Sequence, residues 1–161
     1  KVETMSRVTA SFGGTAGKPY KGSNGTLIGK KPDQLGINAF QIEFFEPSED
    51  SILELMEGVK RGYLVQAHTH AVDSCGCPCM LDVLAAFLIG AGEDSYFGSG
   101  LWISADTKDV TQRWCPPLFE RKLGPPLADA VKGEDGVYSR AFASGTKVTF
   151  DTNSKNGTIT W

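Results

Sequence analysis

The stretch INAFQIEFFEPSEDSILELMEGVKRGYLVQAHTH, residues Ile37–His70, decides how the chain is read. Ile37–Phe45 alternates as a β-strand does: Phe40, Ile42 and Phe44 face one way, Gln41, Glu43 and Phe45 the other. Pro47 and Ser48 then open a helix. Ser48 is a good N-cap because its hydroxyl can accept an orphan N–H of the first turn. Glu49 and Asp50 suit the positive end of that helix, and Lys60 and Arg61 its negative end. Ile52, Leu55, Met56 and Val59 recur at helical spacing as one apolar face, and Gly62 supplies a left-handed stop. Tyr63–Ala67 is a second strand. Strand, helix and strand of these lengths form a β-α-β unit, which predicts parallel strands and a right-handed crossover.

Working outward, Leu64–Met80 (LVQAHTHAVDSCGCPCM) joins the second strand to a second helix over Cys79–Ala91. That helix is apolar almost all round. Met80, Leu81, Val83, Leu84, Phe87, Leu88 and Ile89 leave Asp82 as its only charge, so it must be covered on most sides. Two strands and one other helix can hardly do that, which predicts further protein around this piece. Beyond it, Tyr96–Ile103, Val137–Ala143, Lys147–Phe150 and Thr158–Trp161 are short β-type runs, and DTNSKNG at Asp151–Gly157 turns the last two into a hairpin. Upstream, residues 1–36 are rich in Gly and Lys and read as loop, with one short strand at Arg7–Phe12. The predicted class is therefore α/β: a loop segment over 1–36, a β-α-β-α unit over 37–95, and an antiparallel β-rich part over 96–161.

Composition narrows the function. Sixteen Lys and Arg against nineteen Asp and Glu give a net charge of −3, so the chain offers no basic field to a nucleic-acid backbone. No apolar run reaches membrane-spanning length. The first residue is Lys1, which reads as a processed or truncated start. Two sequons, Asn24-Gly25-Thr26 and Asn156-Gly157-Thr158, sit in turn-like contexts that could carry glycans. Together with an even count of four cysteines they predict a secreted glycoprotein.

The chemistry-bearing residues cluster in the joint. His68 and His70 follow a strand at i, i+2 and can face the same way. They read as substrate contacts, as loop-packing residues, or as metal ligands. Cys75, Cys77 and Cys79 are too dense for one tetrahedral zinc site, although His68, His70, Cys75 and Cys77 could close one. The alternative is two disulfides that involve Cys75, Cys77, Cys79 and Cys115, whose pairing the sequence leaves open. No cofactor is expected. Aromatic residues crowd the last third. They read mainly as the core of a small β-sandwich, with Trp102 and Trp114, beside polar loop residues, as candidate sugar-stacking rings.

The order of elements and their wording resemble the end of a (β/α)8-barrel of the uncharacterised, hypothetical glycosyl hydrolase families, followed by a β-rich cap. AFQIEFF at Ala39–Phe45 and GYLVQA at Gly62–Ala67 resemble the seventh and eighth barrel strands, and LAAFLIGAG at Leu84–Gly92 with Tyr96-Phe97 the eighth helix and its exit. LGPPL at Leu123–Leu127 and VYSRAFASGTKVTF at Val137–Phe150 resemble the ending of those families. The resemblance spans residues 37–161 and implies carbohydrate as partner, with the substrate end at Glu43, His68 and His70. Barrel sites stand at the C-terminal ends of strands, and glycoside hydrolysis normally takes two flanking carboxylates. Glu43 is the one acid in the chain that satisfies that rule, since Glu93 and Asp94 fall at the wrong end of the unit. The resemblance thus implies that the second carboxylate lies in a preceding part of the same protein, or that other copies of the chain complete it. The rival reading is a non-enzymatic extracellular glycoprotein, an assembly or carbohydrate-binding subunit.

Overall fold

The computed structural model describes residues 10–13, 21–22, 39–69, 78–99 and 116–161. Three parallel strands, β3 (Ala39–Ile42), β4 (Leu64–Thr69) and β5 (Ser95–Ser99), alternate with helices α1 (Glu49–Lys60) and α2 (Pro78–Gly90). They pair in chain order, with Ala39 opposite Leu64, Gln41 opposite Gln66, Gln66 opposite Tyr96, and His68 opposite Gly98. Two earlier strands, β1 (Ala10–Gly13) and β2 (Lys21–Gly22), extend the sheet on the β3 side; β1 runs parallel to β3 and β2 antiparallel to β1. The sheet order is therefore β2-β1-β3-β4-β5. A short helix, α3 (Pro116–Phe119), precedes a four-stranded antiparallel sheet of β6 (Val131–Lys132), β7 (Val137–Ala141), β8 (Lys147–Asp151) and β9 (Asn156–Thr160). The α/β class and the closing antiparallel strands agree with the reading of the sequence.

Local chemistry sets the element ends. Ser48 caps α1, its Oγ accepting from Ser51 N–H at 3.3 Å, and Gly62 turns the chain at φ +72°. The first strand is shorter than its alternation implied. It ends at Ile42, the chain turns at Glu43 and Phe44, and Phe45 drops into the core while Phe44 stays 66% exposed. The phase of α1 also differs from the apolar stripe. Its buried residues are Ser51, Ile52, Glu54, Leu55 and Gly58, and Met56 and Val59 are only partly buried. Helix α1 packs against both the sheet and α2, which turns the buried sector past the apolar residues.

Two further differences come from pairing between distant segments. The strand within Tyr96–Ile103 joins the parallel sheet as β5 instead of the antiparallel part, because it bonds along β4 from Val65 to Thr69. The antiparallel strands form no sandwich. Their buried side chains, Tyr138, Phe142, Val148 and Phe150, pack on α2 and merge with the main core. The cover that the largely apolar α2 needs comes from α1 and from β7, β8 and β9, with Phe97 of β5 against Phe87. Met80 and Val83–Gly90 are all buried.

The helix-sheet junction is fastened by polar groups at three points. Asp82, the single charge of α2, accepts from Gly157 N–H of β9 at 2.8 Å. Arg140 of β7 donates to the carbonyls of Leu88, Ile89 and Ala91, closing the C-terminus of α2 where backbone acceptors lack intrahelical partners. Burial lowers the Arg140 pKa from its ordinary value. Glu49 in the first turn of α1 accepts from Tyr138 Oη at 2.8 Å and from Lys132 Nζ at 2.5 Å. Those bonds, with Lys132 foremost, hold the Glu49 pKa below the usual carboxylate range, and burial and then Glu49 push the Tyr138 hydroxyl up to about 12. The Tyr138, Arg140 and Phe142 wording that resembled a family ending is thus the fastening of the second sheet to the helices.

Candidate functional site

The parallel sheet has two unlike faces. Val65 and Ala67 of β4, Ile42 of β3 and Phe97 of β5 point at the helices and belong to the core. The alternate residues point the other way, and register lines them up across strands in rungs about 4.8 Å apart between neighbours. One rung holds Gln41, Gln66 and Tyr96; the next toward the C-terminal ends holds His68 and Gly98, with Glu43 the first residue past β3. Gln41, Gln66, Tyr96 and His68 make this the more polar of the two faces.

His68 is buried on β4, and its carbonyl accepts from Phe45 N–H at 2.9 Å, which ties the turn that carries Glu43 to the end of β4. Gly98 leaves room for the imidazole. A Cβ there would lie 3.2 Å from His68 Cδ2. Glu43 is half-buried at the same edge. Glu43 and His68 thus stand at the ends of neighbouring strands. Glu93 and Asp94 are exposed at the opposite end of the sheet, where the Asp94 carbonyl accepts from Val65 N–H.

His70, Trp102, Trp114, Cys75, Cys77, Cys115 and Asn24 lie outside the described residues. Cys79 is the second residue of α2, and among the described residues there is no free cysteine. No cluster of His, Cys, Asp and Glu that could hold a metal occurs among the described residues. Asn156 is exposed at the start of β9. No described helix is long and apolar enough to cross a membrane.

Sequence reasoning missed Gln41 and Gln66 as site neighbours. Gln41 is only 5% exposed, and its Nε2 has no hydrogen-bond partner. The signal was the polar phase of two strand runs, QxE in AFQIEFF and QxH in LVQAHT, which becomes meaningful once the register is known. Two cavities formed by described residues lie away from the Glu43 and His68 strand ends. One, of about 230 Å³ between α2, β5 and α3, is walled by Phe87, Phe97, Phe119 and Trp161, with Arg121 stacked 4.4 Å from the Trp161 ring. The other, of about 460 Å³, lies by the C-terminal ends of α1 and α2 beside Lys60, Asp129 and Arg140. The first is mainly apolar, with Arg121 at its wall, and the second uses the arginine that closes α2.

Residues 44–146 match hypothetical glycosyl hydrolase family 15, and the chain belongs to that family. The match begins one residue past Glu43 and takes in β4, both long helices, β5 and the arginine that fastens the second sheet. No curated protein matches the chain.

Proposed function

We propose that the C-terminal edge of the parallel sheet is the substrate end of a secreted carbohydrate-active protein, with Glu43 as its acid/base or substrate-holding carboxylate and His68 and His70 as contacts to sugar hydroxyls. The observation that supports this reading is the adjacency of the strand ends that carry Glu43 and His68, tied by the Phe45–His68 backbone bond, in a chain of a glycosyl hydrolase family. In this reading β3 and β4 are neighbouring strands of a (β/α)8 barrel, and their parallel pairing supports it. The second carboxylate comes from another part of that barrel, at a spacing of roughly 5–10 Å that sets retention or inversion. Trp102 and Trp114 serve as stacking rings, the cysteines as staples, and Asn24 and Asn156 as glycan acceptors.

Profiling on an array of neutral and acidic glycans, with wild type beside Glu43→Gln, tests the reading. Binding by wild type that Glu43→Gln weakens at least tenfold is expected. Wild-type binding that Glu43→Gln leaves intact would remove Glu43 from the site. The exposed sequon at Asn156 and the fastening of the antiparallel sheet also suit the rival reading, a non-catalytic carbohydrate-binding subunit; turnover of the bound glycan separates the two.

A further inference from the structure

The cavity of about 460 Å³ at the C-terminal ends of α1 and α2 lies on the side of the molecule where β4 and β5 begin, away from the Glu43 and His68 strand ends. Its volume is that of a small-molecule site. Met56 and Val59 of α1 and Ile89 of α2 give it an apolar wall, and three charged side chains line it as well: Lys60, Asp129 and Arg140. Lys60 and Asp129 are exposed, and among the described residues neither makes a hydrogen bond or an ion pair. Arg140 is held from behind. Its Nη1 donates to the carbonyls of Leu88, Ile89 and Ala91, and its Nε to that of Ala128. Its Nη2 is left without an acceptor among the described residues. Asp129 stands near enough to favour the charged form of this guanidinium.

We propose that this cavity binds a small zwitterion with an apolar body, of the chemistry of an aromatic α-amino acid. Two cations and one carboxylate set both signs of charge around one apolar wall. A bare anion would suit Lys60 and Arg140 but would meet Asp129 and the partial negative charge of two helix C-termini. A bare cation would suit those and meet Lys60 and Arg140 instead. A zwitterion satisfies both signs at once. Its carboxylate accepts from Lys60 Nζ and Arg140 Nη2, and its ammonium donates to the Asp129 carboxylate. Its ring lies on Val59, Ile89 and the thioether of Met56, a favourable contact for an aromatic edge. The bonds from Arg140 to the end of α2 fix its guanidinium beforehand, so little ordering remains to be done on binding.

Calorimetric titration of the full chain with three related probes tests this. L-phenylalanine carries both charges, 3-phenylpropanoate lacks the ammonium, and 2-phenylethylamine lacks the carboxylate. Phenylalanine should bind saturably at one site, and each analogue should bind about tenfold more weakly or worse. Asp129→Asn should weaken phenylalanine by about tenfold or more while leaving 3-phenylpropanoate as tight as on wild type, or tighter. Lys60→Gln should weaken phenylalanine and 3-phenylpropanoate alike and spare 2-phenylethylamine. Both substitutions fall on exposed side chains without partners among the described residues, so thermal melts should match wild type. No saturable binding of phenylalanine overturns the proposal. So does either analogue binding as tightly as phenylalanine to wild type, or phenylalanine binding that both variants leave intact.

Discussion

Gly157 of β9 lies against Ala85 of α2 so closely that a Cβ at position 157 would come within 2.3 Å of the Ala85 Cβ. The same residue donates its N–H to Asp82, one turn earlier on the helix. A glycine in the second sheet thus fits the surface of the buried helix, and its amide satisfies the one charge that helix carries.

Gly157→Ala should therefore destabilise the chain through overpacking, by about 1–3 kcal/mol. The added methyl also meets the backbone at Asp82, so a rotamer change cannot relieve it. Urea melts of wild type and variant, compared at equal slopes, measure the loss; a midpoint unchanged from wild type would mean that the sheet does not sit on α2 in this way.

Arg140→Met keeps much of the aliphatic stem and removes the guanidinium. The carbonyls of Leu88, Ile89 and Ala91 then lose their donor at a half-buried helix end. The expected cost is about 1–3 kcal/mol, as for other partly buried charged hydrogen bonds. Amide exchange should quicken first in the last turn of α2, an outcome that uniform quickening across the chain would contradict.

Glu54 predicts a pH signature. It is buried in α1, its Oε1 has no partner, and burial, helped by Asp50, raises its pKa from 4.5 to about 8. A carboxyl raised in the folded state favours folding below its unfolded pKa, and that contribution is lost as pH climbs from about 4.5 to about 8. Glu54→Gln should remove this fall, so that the variant gains on wild type as pH rises through that window. Thermal melts at pH 5 and pH 8 check it, and a difference between the two proteins that stays constant over the window would count against a neutral Glu54.

Gly98→Ala presses a methyl toward the His68 ring, at 3.2 Å from Cδ2. A shift of a few tenths of an ångström relieves it, so stability should change by less than about 1 kcal/mol while glycan binding weakens severalfold. Equal binding by both proteins would show that the imidazole position does not matter to the ligand.

The parts of this fold that local chemistry decides are legible in the sequence. Ser48, the acidic first turn, Gly62 and the DTNSKNG turn each act on neighbours a few residues away, and the helix and hairpin they bound appear as read. What depends on pairing across the chain is not. The run after Gly92 joins the parallel sheet because its backbone bonds along β4, and nothing in its own residues distinguishes that from an antiparallel partner. Glu54 is buried because α1 meets two surfaces at once. Glu43 and His68 stood out as an acid and an imidazole at strand ends. Gln41 and Gln66 lie 25 positions apart, and only the register that sets one opposite the other reveals a rung.

The central claim, that carbohydrate binds on the polar face at the C-terminal edge of the parallel sheet, is tested most directly by mapping amide chemical shifts while titrating a glycan taken from the array. The account predicts perturbations concentrated at Glu43–Phe45, Gln66–Thr69 and Gly98. Perturbations that gather instead at Arg121, Leu123 and Trp161, around the apolar cavity behind β5, would contradict it.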